Sequence, residues 1–146
     1  DGYKAAVSPN QVKKQMTGVR RLNGDAIRLN VPRLVSRMLI VCEGIETGLA
    51  LVASTGNRHE VWSLLDAGNL AKARILRSRF DTVVIAADRD PLNPKHGWRV
   101  GEHYAQVLDA RLKEEGFVTK LRVPSQEGTD FCDLWHDRCS RLKLVA

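Results

Sequence analysis

From Met38 onward, short apolar runs alternate with amphipathic stretches. Met38-Leu-Ile-Val-Cys42 is apolar at every position, as expected of a strand covered on both faces. Ile45 to Ala53 then sets Leu49, Val52 and Ala53 at helical spacing, and Ser54-Thr-Gly56-Asn57 stops that helix. Glu60-Val-Trp-Ser-Leu64 reads as a second strand, and Asn69 is placed to cap a helix running towards Arg77. Asp81-Thr-Val-Val-Ile-Ala-Ala87 is the clearest strand, and Pro91 and Pro94 forbid helix directly after it. A long helix from Gly97 to Glu115 would place Val100, Tyr104, Val107, Leu108 and Leu112 on one face, with Gly116 ending it. Phe117 to Val123 predicts a fourth strand, and Phe131 to Leu142 a last helix.

Strands alternating with helices predict an α/β fold with a mainly parallel four-stranded sheet flanked by helices. Upstream the pattern is different. Residues 1–17 show little periodicity, while Val19 to Leu22 and Ala26 to Leu29 flank Asn23-Gly24, a turn pair that favours a short β-hairpin. Pro32 ends that unit. The chain therefore divides into an N-terminal segment, residues 1–36, and an α/β domain, residues 37–146.

Charge sharpens this division. Residues 1–37 hold eight basic and two acidic side chains, leaving 15 basic and 15 acidic residues in the remainder, so the whole excess of +6 is N-terminal. A basic arm beside a neutral domain fits contact with a phosphate backbone, or simply a solvated basic tail. Aromatics make up 5% of the chain, so aliphatic residues must fill the core. No apolar run nears the ~20 residues of a membrane span, and the polar start, Asp1 to Pro9, has no signal-peptide character. The chain starts without Met, as a piece of a longer protein would. Three cysteines without framework spacing suit a reducing cytoplasm. Cys132, His136 and Cys139 could share a helix face, but no fourth ligand accompanies them, and a structural reading is preferred to zinc.

The carboxyl ends of the strands carry the chemistry. In sheets of this kind ligands bind at those ends, near a switch in strand order. Glu43-Gly44 follows the first long strand, and Asp88-Arg89-Asp90 follows the third. Residues two apart in extended chain point the same way, so Asp88 and Asp90 could meet one ion. Gly44 leaves room for a phosphate or metal beside Glu43. Asp130, in Gly128-Thr-Asp-Phe-Cys-Asp133, is placed to add a second metal position or to cap the last helix. Clustered carboxylates repel one another, and oxygen-only ligands suit Mg²⁺ or Mn²⁺. Asp133 and Glu46 are better explained by first-turn helix electrostatics. Arg89, between the two aspartates, should face away from them.

Leu39 to Ala50, together with Val84-Ile-Ala-Ala-Asp88-Arg-Asp90, resembles a Toprim domain. That metal-dependent module is shared by bacterial-type primases, type IA and type II topoisomerases and some nucleases. Gly24 to Leu29, Trp62 to Leu70 and Gly128 to Asp133 are most similar to the plasmid- and phage-type primases or primase–helicases. The resemblance implies a compact Rossmann-like Toprim fold, with Glu43 as catalytic base or acid and Asp88 and Asp90 as metal ligands. Asp130 resembles the further acid that helps hold a second metal. Thr47 departs from the pattern, because many primases carry an acid there.

Primer synthesis on single-stranded DNA from nucleoside triphosphates is the function this resemblance implies. Arg20, Arg21 and Arg28 are the candidates for phosphate contact, with a helicase and a zinc-binding module as companions. A Toprim nuclease would present the same metal site, and a non-catalytic nucleic-acid-binding module is a third reading. Topoisomerase chemistry fits less well, since neither Tyr3 nor Tyr104 lies in a nucleophile motif. A phosphoacceptor domain would want a Lys at a late strand end, where this chain has Val123-Pro124.

Overall fold

In the computed structural model, which describes residues 23–95 and 97–143, Met38–Cys42 is the central strand (β2) of a five-stranded sheet. It pairs in parallel with Glu60–Ser63 (β3) on one side and with Thr82–Ala86 (β4) on the other. Val118–Arg122 (β5) adds in parallel to β4, and the two-residue strand Ile27–Arg28 (β1) adds antiparallel to β3. The order is β1-β3-β2-β4-β5, so the chain reverses direction across the sheet at the β2–β4 pair. One strand more than expected is present, because Ile27–Arg28 joins the sheet edge. The other arm of the expected hairpin, Val19 to Leu22, lies outside the described residues.

Alternation along β2 builds both cores. Leu39 and Val41 face one layer, with Leu64, Leu70, Val83, Ile85, Leu108 and Leu112. Ile40 and Cys42 face the other, with Leu51, Val61 and Ala86. The second layer is covered by Ile45–Ser54 (α1), which packs against Phe131–Lys143 (α4). The first is covered by Ala67–Leu70 (α2), which packs against Val100–Glu114 (α3). The four largest apolar side chains with little or no exposure, Phe80, Leu39, Leu64 and Leu70, all belong to the first layer. Burying each contributes about 1.5–3 kcal/mol, so this layer is the main source of stability.

Two elements differ from the sequence reading. The second helix is one turn long and is capped by Asp66, whose Oδ1 accepts from the Asn69 N–H at 2.7 Å. Asn69 is instead a buried bracket: its Oδ1 accepts from Gly24 N–H (2.7 Å), and its Nδ2 donates to Leu64 O (2.6 Å) and Asp25 O (2.9 Å). Beyond it the chain runs on without helix, with Ala73, Ile75 and Phe80 buried and Lys72, Arg74, Arg77 and Arg79 exposed. Residues 72–75 alternate with a period of two, which no helix can satisfy, and 76–79 form an exposed turn before Phe80.

In α3 the buried stripe is Gly101, Ala105, Leu108 and Leu112, while Val107 is 44% exposed. The helix is rotated from the expected face because small residues let it approach the loop after β4. A Cβ at Gly101 would sit 3.3 Å from Asp88 O and 3.0 Å from Asp90 Oδ2. On β5, Val118, Lys120 and Arg122 are exposed and alternate with half-buried Thr119 and Leu121. Among the described residues, no helix is long and apolar enough to cross a membrane.

Candidate functional site

Glu43 leaves β2 at its carboxyl end, and its carbonyl is held twice. Ser63 Oγ donates to it at 2.7 Å and Leu65 N–H at 2.8 Å. This ties the turn after β2 to the turn after β3 and fixes where the Glu43 side chain starts. Gly44 is the extended N-cap of α1. A Cβ there would meet its nearest atom, Thr47 Oγ1, at 3.6 Å, so only an outside ligand could make glycine a requirement at this position.

Asp88 follows Ala87 at the end of β4, the strand beside β2. Its Oδ1 is buried and has no hydrogen-bond partner. Burial, followed by the negative fields of Glu43, Asp130, Asp90 and Asp133, pushes its pKa up to about 7. Asp90 is used differently. Its Oδ2 accepts from Gly101 N–H at 2.8 Å, so it satisfies an open donor in the first turn of α3, and its carbonyl accepts from Arg99.

Arg89 borders the same concavity as the two aspartates and straps the next loop to them. Its N–H donates to Thr129 O (3.1 Å), its carbonyl accepts from Gly128 N–H (2.7 Å), and its Nε donates to Pro124 O (2.8 Å). Its guanidinium also pairs with Glu102 at 3.2 Å. Asp130 is thereby brought to the same edge. Its Oδ1 accepts from Asp133 N–H (2.9 Å), while Asp133 Oδ2 accepts from Asp130 N–H (3.2 Å), a reciprocal cap on α4. Its Oδ2 accepts from Thr47 Oγ1 at 3.2 Å. Thr47 is 2% exposed, so the residue that departs from the primase pattern is a buried donor to Asp130.

Two small concavities result. One, of about 240 Å³, is bordered by Asp88, Asp90, Gly128, Thr129, Asp130 and Asp133. The other, of about 260 Å³, is bordered by Glu43, Gly44, Glu46, Thr47, Asp88 and Asp130. Asp88 and Asp130 border both, so these carboxylates form the ridge between them. Cys42, just behind, is inert: burial, then Asp88 and Glu43, push its thiol up to about 12.

Among the described residues, no three ligating side chains gather into a ready-made metal cage. The donor chemistry nevertheless fits a hard divalent cation: all donors are oxygens, and the unpartnered Asp88 oxygen lies among neighbouring acids. Of the residues expected to meet phosphate, Arg20 and Arg21 lie outside the described residues. Arg28 is not at the acidic edge; its Nε pairs with Glu60 Oε1 at 2.7 Å, where Trp62 Nε1 also donates.

Sequence reasoning missed Thr47 as a partner of Asp130, Gly101 as the seat of Asp90, and Asn69 as a bracket. Thr47 and Asp130 are 83 positions apart, and no local pattern connects them. Gly101 had a signal, since a glycine in the first turn of a long helix lowers helix propensity and needs a reason.

No curated protein matches the chain. Its fold is similar to the crystal structure of a DNA primase domain from Pseudomonas aeruginosa, with a TM-score of 0.54 and 14% sequence identity. The match covers 90% of this chain and 40% of that one, so the chain spans less than half of the structure it resembles. A family model for the Toprim domain matches residues 38–140, a span that starts with β2, contains Glu43, Asp88, Asp90 and Asp130, and ends within α4. With the sheet and its acidic edge arranged as described, the chain belongs to the Toprim family.

Proposed function

We propose that this chain is the catalytic domain of a metal-dependent nucleotidyltransferase that makes primers on single-stranded DNA. The observation that carries the reading is Asp88, half-buried with an unpartnered oxygen and flanked by Glu43, Asp90 and Asp130. A site built for an ion tolerates such an arrangement, whereas a purely structural carboxylate would be hydrogen-bonded.

Asp88 and Asp130, on the ridge, would hold Mg²⁺ or Mn²⁺, with Asp90 reaching in from the α3 side. A bound divalent cation supplies positive charge against the triphosphate and lowers the repulsion among the acids. Glu43 would take the proton of the attacking 3′-hydroxyl, from a position set by the two hydrogen bonds to its own carbonyl. Thr47 would keep Asp130 turned towards α1 and the second concavity. The Arg89 strap would hold Asp88 and Asp130 at a constant spacing, which positional catalysis requires.

Primer synthesis from nucleoside triphosphates on a single-stranded template, with Mn²⁺ or Mg²⁺, tests the proposal. Asp88→Asn should lower the rate by two orders of magnitude or more. Wild-type synthesis by that variant would overturn it. Nicking of plasmid DNA without any synthesis would replace it with the nuclease reading.

A further inference from the structure

We propose that the cleft between β1 and the 72–79 segment is a docking track for single-stranded nucleic acid, separate from the carboxylate edge. Lys72, Arg74 and Arg28 would take phosphates there, and Trp62 would take a base. The inference rests on the nucleic-acid reading above and adds where the strand lies.

Charge is the first support. Residues 72–79 carry Lys72, Arg74, Arg77 and Arg79 with no acid among them. Lys72 and Arg74 are exposed because Ala73 and Ile75 point inward, and Arg77 and Arg79 are exposed in the turn that follows, where Arg77 pairs with Asp81 at 3.8 Å. The excess survives pairing. Arg28 and Arg79 share one carboxylate, Glu60, at 2.7 and 2.9 Å, leaving one positive charge over. Arg74 Nε donates to a neutral carbonyl, Asn23 O, at 2.7 Å. Lys72 has no ion pair among the described residues, and Asp25 is the one acid bordering the cleft. Residues 72–79 belong to the α/β domain, whose overall charge is balanced, so composition alone does not show this patch.

Shape is the second. A concavity of about 270 Å³ is bordered by Gly24, Asp25, Ala26, Arg28, Trp62 and Arg74. Lys72 does not line it, but its backbone carbonyl packs so closely on Gly24 that a Cβ there would lie 2.0 Å away, which places its exposed side chain's root beside the Gly24 end. The Trp62 ring is held from two sides, edge-on to Phe80 (5.7 Å, 88°) and by its N–H on Glu60 (2.7 Å). A fixed, half-buried indole between guanidinium groups is the arrangement that stacks an unpaired base while cations follow the backbone.

Connection to the acidic edge is the third. β1 runs antiparallel to β3, so the Gly24 end of the cleft lies towards the carboxyl ends of the parallel strands. Asn69 bonds Gly24 N–H and Leu64 O, and the neighbouring Leu65 N–H bonds Glu43 O. A strand in the cleft would therefore be held against the same loops that position Glu43.

The test is fluorescence anisotropy of the full chain with a labelled oligo-dT 20-mer in EDTA, at several NaCl concentrations. Lys72→Glu/Arg74→Glu should weaken binding at least tenfold and flatten the log–log salt slope by roughly 1.4, about 0.7 for each lost single-strand phosphate contact. Trp62→Leu should weaken binding about 5–50-fold and leave the slope in place. Lys120→Glu/Arg122→Glu makes the same charge change on the far edge of the sheet and should have little effect. A 5-bromodeoxyuridine oligonucleotide, photocrosslinked to the unmodified protein, should label the peptide containing Trp62, an outcome independent of any variant's folding. Unchanged affinity after Lys72→Glu/Arg74→Glu would overturn the track. So would an equal loss from the Lys120/Arg122 control, equal affinity for duplex DNA, or crosslinks confined elsewhere. Asp88→Asn separates the two proposals: under EDTA it should bind the 20-mer as the unmodified chain does, whatever it does to synthesis.

Discussion

Asp88 is costly to leave charged in the protein without metal, and the sign of that cost is testable. Its folded pKa, about 7, lies above the ordinary 3.8, so the folded state holds the proton more tightly than the unfolded state. Well below pH 3.8 both states are protonated and the group is neutral towards stability. Between pH 4 and 7 the unfolded state ionises first, and the protein loses stability as pH rises. Asp88→Asn removes that loss. In EDTA the variant should match the parent at pH 4 and exceed it at pH 8 by about 1–2 kcal/mol, after allowance for the partly open position of the carboxyl. Urea denaturation at the two pH values measures it, and equal midpoints at pH 8 would show that the site does not strain this carboxylate.

At the level of elements, α3 and the loop after β4 are seated on each other through Gly101. Gly101→Ala adds a methyl 3.0 Å from Asp90 Oδ2 and 3.3 Å from Asp88 O, and the latter atom is backbone and cannot swing aside. The helix must shift or the loop must. We expect a net loss of about 1–2 kcal/mol despite the higher helix propensity of Ala, and a fall in primer synthesis of at least tenfold. Thermal unfolding and the synthesis assay together check this; a variant as stable and active as the parent would show that the contact is slack.

The same element shows how far the sequence can be read. Strands β2 and β4 are legible because continuous apolar runs of five residues, Met38 to Cys42 and Val83 to Ala87, fit a doubly covered strand. The carboxylates at their ends followed from chain order alone. On α3 bulk does not mark the buried face, because close packing on a backbone selects Gly101 and Ala105. The structure does not form the longer helix for which Asn69, in isolation, is a good cap. Its side chain is committed to Gly24, 45 positions away, and Asp66 does the capping. Asp130 as a helix cap could be read locally; its bond to Thr47 could not.

At the scale of the whole molecule, four chain segments meet at one edge: the turns after β2 and β4, the 128–130 loop and the start of α3. The turn after β4 and the 128–130 loop are joined backbone to backbone, and the Asp90–Gly101 and Thr47–Asp130 bonds tie in the other two, so the acids arrive on a frame set by non-local contacts. The opposite flank of the sheet has another consequence. Among the described residues β5 is paired only with β4, and a row of free backbone donors and acceptors is a template on which a second chain could extend the sheet. Lys120 and Arg122 stand exposed along it, so a copy docking there would have to strip water from both and bring like charges together. Replacing the pair with Thr and Val should leave the monomer folded but make it self-associate, as growing apparent mass with concentration in size-exclusion chromatography. By that expectation two unremarkable surface cations matter less for folding than for keeping copies of the chain apart.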